Sequence, residues 1–329
     1  MMVPSASANQ DSLKVGIAQI APVWLNRDQT IAKVVSYVNQ AAEEGCHLVA
    51  FGEALVPGYP FWISLTDGAR FNSPIQKEIH AHYMSQAVQI EAGHLQSICQ
   101  SASEHNIAVV VGCVERAPDR GGHSLYCSLV YIDPQGEIQS VHRKLMPTYE
   151  ERLTWAFGDG HGLRVHSLGA FTVGGLNCWE NWMPLARATL QAQGEDLHIA
   201  AWPGGLSITE DITRFIAKEA RSYVISASGL MRKEDFPAET PHLERILANS
   251  SDILADGGSC IAGPDGEWVV EPIIEEERLM VATLDQNRVR AERQNFDPAG
   301  HYARPDVFRL IVNRDRQSVL VFEDQADCD

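Results

Sequence analysis

Residues 46–51 are near-continuously apolar, the pattern of a strand covered on both faces. That feature demands layers, because such a strand needs partners beside it in a sheet and packing above and below. The neighbouring sequence supplies both. Residues 14–20 read as another short apolar strand, and residues 28–44 carry Ile31, Val34, Val35, Val38, Ala41 and Ala42 at helical spacing before a stop at Gly45. Strand, helix, strand is a right-handed crossover unit.

The rhythm recurs in kind but not in sequence. Residues 93–106 put Leu95, Ile98, Cys99 and Ala102 on one helical face, and a β-branched strand follows over 107–114. Residues 124–133 and 136–145 read as a hairpin around Asp133-Pro134-Gln135-Gly136, and 165–168 with 171–176 as another around Gly169. Helix 184–194, strand 197–202, helix 211–221 and strand 223–228 continue the pattern. Residues 231–258 turn polar and read as a surface excursion with one short helix near 241–248. Strands at 259–262, 267–270 and 279–284 and a helix over 286–294 complete the order. Nothing cuts the chain in two, so the expected architecture is one α/β domain over 13–313, with mixed sheets covered outside by helices. Residues 1–12 read as a disordered leader and 314–329 as a tail.

A chain of 329 residues with 45% hydrophobic content can bury a large core. Its formal charge of -17 and pI near 5.1 argue against nucleic acid or an anionic membrane as a partner. The first residues lack the charged and apolar regions of a secretory signal, and no run of eighteen apolar residues follows, so a cytoplasmic protein that neither enters nor spans a membrane is expected. Seven scattered cysteines without a C-x-x-C pair suit reduced thiols better than a disulfide framework. Among twelve histidines none has a metal-ligand spacing; His80 and His82, two apart in a helix-like stretch, should point different ways. No metal is expected.

Three groups that can do chemistry stand at strand ends. Glu53 follows strand 46–51, where ligand crevices of α/β sheets open, and apolar neighbours there would help it hold a proton. Lys144 ends the hairpin strand, with Glu150 and Glu151 in the loop beyond. Cys178 lies where an apolar strand ending near Leu176 meets a helix that tolerates Pro184 early, and amides freed at such a corner favour a thiolate and can cradle an anion. Thiol, carboxyl and ammonium are a complete set for acyl-type nucleophilic catalysis. Each also has a plainer reading: a salt-bridged strand terminus for Glu53, solvated charges for Lys144 and Glu151, a buried structural thiol for Cys178. No histidine stands in a recognisable arrangement with a cysteine, which disfavours a thiol peptidase.

The segments FGEALVPGYPFW (51–62), HRKLMPTYEER (142–152), GLNCWENWMPLAR (175–187) and GHYARPDVFRL (300–310) resemble the carbon-nitrogen hydrolase superfamily, and its nitrilase branch in particular, in the same order and over residues 14 to about 313. The resemblance implies a four-layer α-β-β-α sandwich, a catalytic triad of Glu53, Lys144 and Cys178, and Glu151 as a second glutamate. The C-W-E run at 178–180 is similar to nitrilases rather than to the C-Y-D or C-N-D of amidases and carbamoylases. It implies hydrolysis of an organic nitrile to a carboxylic acid and ammonia through a thioimidate and an acyl thioester, with some amide by-product and no cofactor. An amidase with the same triad and an inert, filament-forming relative are the alternatives. Tyr59, Phe61, Trp62, Trp179 and Trp182 lie in the matching segments as candidate pocket walls or ordinary core aromatics. A homodimer with stacked sheets, possibly extended into a spiral, is also implied, with the tail from Gly300 near such interfaces. Gly52 and Glu150 depart from the family's usual proline and histidine.

Overall fold

A computed structural model describes residues 11–320; the expected leader up to residue 10 and the tail beyond residue 320 lie outside the described residues. The first sheet holds β1 (Ser12–Gln19), β2 (Leu48–Phe51), β3 (Ala108–Arg116), β4 (Leu125–Ile132) and β5 (Ile138–Arg143). The second holds β6 (His166–Leu168), β7 (Phe171–Asn177), β8 (Leu197–Trp202), β9 (Tyr223–Ser228), β10 (Leu230–Arg232), β11 (Ile253–Ala262) and β12 (Trp268–Ile274). The last strand, β13 (Arg278–Asp285), returns to the first sheet beside β1. The helices are α1 (Arg27–Glu43), α2 (Trp62–Leu65), α3 (Pro74–Gln86), α4 (Gln96–His105), α5 (Pro184–Gln191), α6 (Leu206–Ala220), α7 (Leu243–Asn249) and α8 (Gln286–Arg293).

Strand order is β13-β1-β2-β3-β4-β5 in one sheet and β10-β11-β9-β8-β7-β6 in the other, with β12 on β11. Each sheet has three parallel strands at its heart, β1-β2-β3 and β7-β8-β9, and antiparallel strands outside them. Crossovers make the parallel centres and hairpins such as β4-β5, β6-β7 and β11-β12 lie outside them, while β13 closes the other edge of the first sheet by returning to β1 from the far end of the chain.

The near-continuous apolar strands follow from a core on each side. Leu48 and Ala50 of β2 face inward with Val15, Ile17, Val173, Ile199 and Ile225 between the sheets. Val49 and Phe51 face outward against Ile31, Val34 and Val38 of α1 and Ile98 and Ala102 of α4. On the far side, Ala200, Trp202 and Val224 pack under Ile212, Ile216 and Ala217 of α6. The result is the four-layer α-β-β-α sandwich that the resemblance implies.

Two local readings need correction. Helix α6 begins at Leu206, five residues before the expected start, because the Leu206 amide donates to Asp256 Oδ1 (2.9 Å), a partner fifty residues away. Residues 231–258 are not an excursion over the surface. Met231, Phe236, Ile246 and Ala255 are buried in a cluster with Trp24, Trp62, Tyr83 and Trp155, where the Phe236 ring meets Trp24 edge-on at 4.7 Å. These side chains enter the core singly from a polar segment, so no periodicity announces them. His80 and His82 on α3 do diverge, one facing Thr154 and the other the Leu25 carbonyl. The tail folds back on its own chain, with Arg316 paired to Asp159 (3.0 Å) and the Gln317 side chain donating to the Gly158 carbonyl (3.1 Å).

Ile246→Ala is expected to lower stability by about 2–5 kcal/mol in urea unfolding, the cost of a fully buried large-to-small change. A true surface segment would lose less than about 0.5 kcal/mol at such a site.

Candidate active site

Glu53 leaves the end of β2 and is aimed by contacts between the two sheets. Its amide donates to the carbonyl of Trp202, the last residue of β8, at 3.0 Å. A side chain at Gly52 would lie 2.9 Å from that carbonyl and 3.0 Å from the Gly229 amide, so glycine there permits the approach. Below, Gly112 of β3 passes so close that a Cβ would run into the Gly52 carbonyl and the Ala54 amide.

Lys144 follows β5 directly. Its amide donates to the Cys127 carbonyl (2.7 Å) and its carbonyl accepts from the Gly158 amide (2.8 Å). The ammonium lies 2.7 Å from Glu53 Oε1 and 2.8 Å from Glu151 Oε2. Glu151 sits in a single 3-10 turn, Tyr149–Leu153, where it also accepts from the Thr148 amide (2.6 Å), and the Tyr59 hydroxyl donates to its other oxygen at 2.9 Å. Cys178 opens the 3-10 turn Cys178–Trp182 after β7 with φ +49°, a left-handed conformation uncommon for a residue with a side chain. Such a strand-to-helix corner lifts a nucleophile clear of the sheet end. Sγ of Cys178 and a carboxylate oxygen of Glu53 and of Glu151 all lie within 4.8 Å of one another. The four residues are 1–2% exposed.

Burial decides the protonation of this cluster. It pushes the Glu53 carboxyl up to about 7 against the pull of the Lys144 ammonium, with the charge of Glu151 adding to the rise. Burial also opposes the Lys144 charge, but Glu53, Cys178, Glu151 and Cys127 around it hold its pKa well above the ordinary lysine range. The Cys178 thiol is driven well above its usual value by burial first and by Glu53 second, with Glu151 adding to the rise, and the Lys144 ammonium and then the Trp179 amide offset only part of this. Burial at the corner therefore works against the thiolate that the sequence reading expected the freed amides to favour. The corner supplies one 3-10 turn, the α-helix beginning only at Pro184, so few aligned amides oppose desolvation.

Glu180 fixes the corner from behind, a role that the sequence reading did not assign. Its carboxylate accepts from the Asn177 amide (2.9 Å), the Leu145 amide (2.6 Å) and His142 Nε2 (3.1 Å). It thereby ties the residue before the cysteine to the residue after the lysine. Although burial works against its charge, these donors keep the Glu180 carboxyl below its ordinary value. Its spacing from Cys178 in the C-W-E run is the signal that could have found it. Asn181 adds a second tie, donating to the Cys178 carbonyl (2.8 Å) while its Oδ1 meets His198 Nε2 (2.7 Å), and His198 Nδ1 reaches Glu195 (2.8 Å).

Of the aromatic candidates, Tyr59 joins the cluster through Glu151 and packs edge-on against Trp155, over which Lys144 Nζ lies at 5.7 Å. Trp155 was not singled out in the sequence. Trp62 is buried in the neighbouring apolar cluster, and Trp179 and Trp182 are 49% and 43% exposed on the turn that Cys178 opens, their rings 6.2 Å apart. A cleft of about 430 Å³, lined by Ile63, Ser64, Ala69, Tyr149, Glu150 and Leu153, opens beside the turn that carries Glu151. The thiol and two carboxylates have the closeness of a metal site, but the Lys144 ammonium already lies between the carboxylates where a cation would bind. A buried nucleophile, a proton-exchanging carboxyl and a fixed cation can attack, protonate and stabilise a small unsaturated electrophile.

Glu180→Gln is expected to cost about 1–3 kcal/mol in urea unfolding, since an amide cannot accept on both sides and leaves a buried N–H unpaired. Glu180→Asp, too short to span the same donors, should lose a comparable amount.

The carbon-nitrogen hydrolase family model matches residues 14–294. A protein named nitrilase 2, from an unknown prokaryotic organism, is 38% identical over 94% of this chain and 95% of its own length. An aliphatic nitrilase of Sinorhizobium fredii (strain HH103) is 33% identical over 94% of this chain and 98% of its own. The solved carbon-nitrogen hydrolase of Helicobacter pylori G27 superposes with a TM-score of 0.68 over 91% of this chain and 100% of its own at 19% identity, a likeness of fold. The chain, with its sandwich and its buried thiol, ammonium and carboxylates, belongs to the carbon-nitrogen hydrolase family.

Proposed function

We propose that this protein hydrolyses an organic nitrile to the carboxylic acid and ammonia, with Cys178 as nucleophile, Glu53 as acid and base, Lys144 as the cation and Glu151 as the group that orients it. The observation that carries this reading is the Lys144 ammonium within 2.8 Å of both buried carboxylates beside the buried thiol. Relatives named as nitrilases, alike along almost the whole chain, support the choice of substrate.

In this reading the Cys178 thiol gives its proton to Glu53 as sulfur adds to the nitrile carbon, and Glu53 passes that proton to the nitrile nitrogen. A thioimidate results. Water activated by Glu53 adds to it, ammonia leaves, and an acyl thioester remains. A second water, activated in the same way, releases the acid and restores the thiol. Lys144 stabilises the charge that develops on each tetrahedral intermediate without moving, because Glu53 and Glu151 already hold it. Where the first tetrahedral intermediate expels sulfur instead of ammonia, an amide leaves as a by-product.

In this reading Tyr59 beside Glu151, and Trp179 and Trp182 on the turn that Cys178 opens, offer apolar surface for the organic group, with the cleft beside Tyr149 and Glu150 as the approach; Trp62 lies in the apolar cluster against which Tyr59 packs. A homo-oligomer belongs to the same reading. Leu185, Phe215, Phe308 and Ile311 are 50–80% exposed, apolar surface of the kind that a second copy covers. The six described cysteines are free, which suits a reducing cytoplasm. Among the described residues no helix is long and apolar enough to cross a membrane.

Purified protein is expected to release ammonia from a nitrile, and mass spectrometry of the quenched enzyme should detect an adduct on Cys178. Cys178→Ala should lose both, with turnover down ~10³-fold or more. Ammonia from the matching amide but not from the nitrile would make the enzyme an amidase. With the Glu53 carboxyl near 7, its base form is lost as pH falls, so kcat/KM should decline below about pH 7. Glu53→Gln should lower turnover ~10³-fold or more, and what activity is left should show no decline centred near pH 7.

A further inference from the structure

A second thiol is buried against the same cluster and has no part in the reaction just described. Cys127, on β4, is buried, and its Sγ donates to Glu53 Oε1 at 3.4 Å, the oxygen that also receives the Lys144 ammonium at 2.7 Å. The other oxygen, Oε2, is equally buried and has no hydrogen-bond partner among the described residues. The carbonyl of Cys127 meanwhile accepts from the Lys144 amide at 2.7 Å. One residue therefore touches both members of the Glu53–Lys144 pair, one through its side chain and the other through its backbone.

We infer that Cys127 is a positioning residue for the acid/base carboxyl: its S–H pins Oε1 beside Lys144 and leaves Oε2 as the oxygen that exchanges protons with thiol, water and substrate. The inference rests on the reading of Glu53 as the acid/base group. The charged and titratable groups facing Glu53 are Lys144, Glu151, Cys178, Cys127, Tyr59 and Tyr83. Lys144 is shared with Glu151, the Tyr59 hydroxyl is given to Glu151 and the Tyr83 hydroxyl to the Gly58 carbonyl. Cys127 supplies a neutral donor. Burial and the adjoining Glu53 charge hold its thiol well above the ordinary range, so the proton that makes this bond stays on sulfur at working pH. A weak donor suits the task, because it orients the carboxylate without adding the charge that would pull it far from neutrality.

The test compares Cys127→Val, Cys127→Ala and Cys127→Ser with the unaltered enzyme. Two readouts are needed: kcat/KM for a nitrile against pH, and a substrate-free infrared titration of the Glu53 carboxyl, its band assigned with Glu53→Gln. Valine fills the space without a donor, so it answers even if the alanine variant fails to fold. Loss of a hydrogen bond to the charged form raises a carboxyl pKa, so Val and Ala should move both midpoints up by about half to one pH unit. Serine, which keeps a donor, should stay within about a quarter of a unit of the unaltered enzyme, by the same scale. Midpoints unmoved in Val, or moved equally in Val and Ser, overturn the inference and leave Cys127 as packing. An infrared midpoint that moves as expected in an enzyme without turnover of nitriles supports the role of Cys127 and sinks the proposed substrate instead.

Discussion

A single ammonium held between two buried carboxylates is the constraint around which this molecule is arranged. Lys144, Glu53 and Glu151 would each be costly to bury alone, since the desolvation of an isolated charge amounts to several kcal/mol. Together they sum to one excess negative charge, which the high pKa of Glu53 partly relieves by proton uptake. The thiol of Cys178 feels the same burial and the same surplus, and both favour its protonated form. A Glu53 carboxyl near 7 and the burial of three ionisable groups together are thus two outcomes of one charge balance.

Such a cluster needs its four chain segments held without slack, and the sandwich does this by letting strand ends from both sheets touch. The amide of Glu53 on one sheet donates to the last carbonyl of β8 on the other, and the glycines at 52 and 112 allow the backbones to close on each other. Behind the cysteine, Glu180 binds the corner of β7 to the residue following Lys144. The left-handed turn at Cys178 is held open by these contacts, as strained conformations at functional sites commonly are.

Much of this was legible from residue order. Alternating apolar strands and amphipathic helices gave the layered α/β architecture, and strand boundaries near Trp202 and Ser228 coincide with those observed. The placement of Glu53, Lys144 and Cys178 at strand ends was readable too, as was the tendency of a desolvated carboxyl to hold its proton. Less was legible where a long-range contact sets the local structure. The start of α6 depends on Asp256, the burial of Phe236 on Trp24, and Trp155 becomes a wall of the site because Lys144 and Tyr59 pack against it. None of these pairs has a sequence period.

By itself, then, the sequence determined which segments would be strands and helices and which reactive groups would stand at their ends, because periodicity and end position are properties of consecutive residues. Tertiary structure decided that burial outweighs the corner amides at Cys178, which oxygen of Glu53 meets Lys144 and Cys127, and which groups Glu180 and Asn181 tie to the turn that Cys178 opens. Hydrogen-bond partners and proton affinities depend on distance and desolvation in space, and both are fixed only when segments well separated in the chain, such as those carrying Glu53, Lys144 and Cys178, come together.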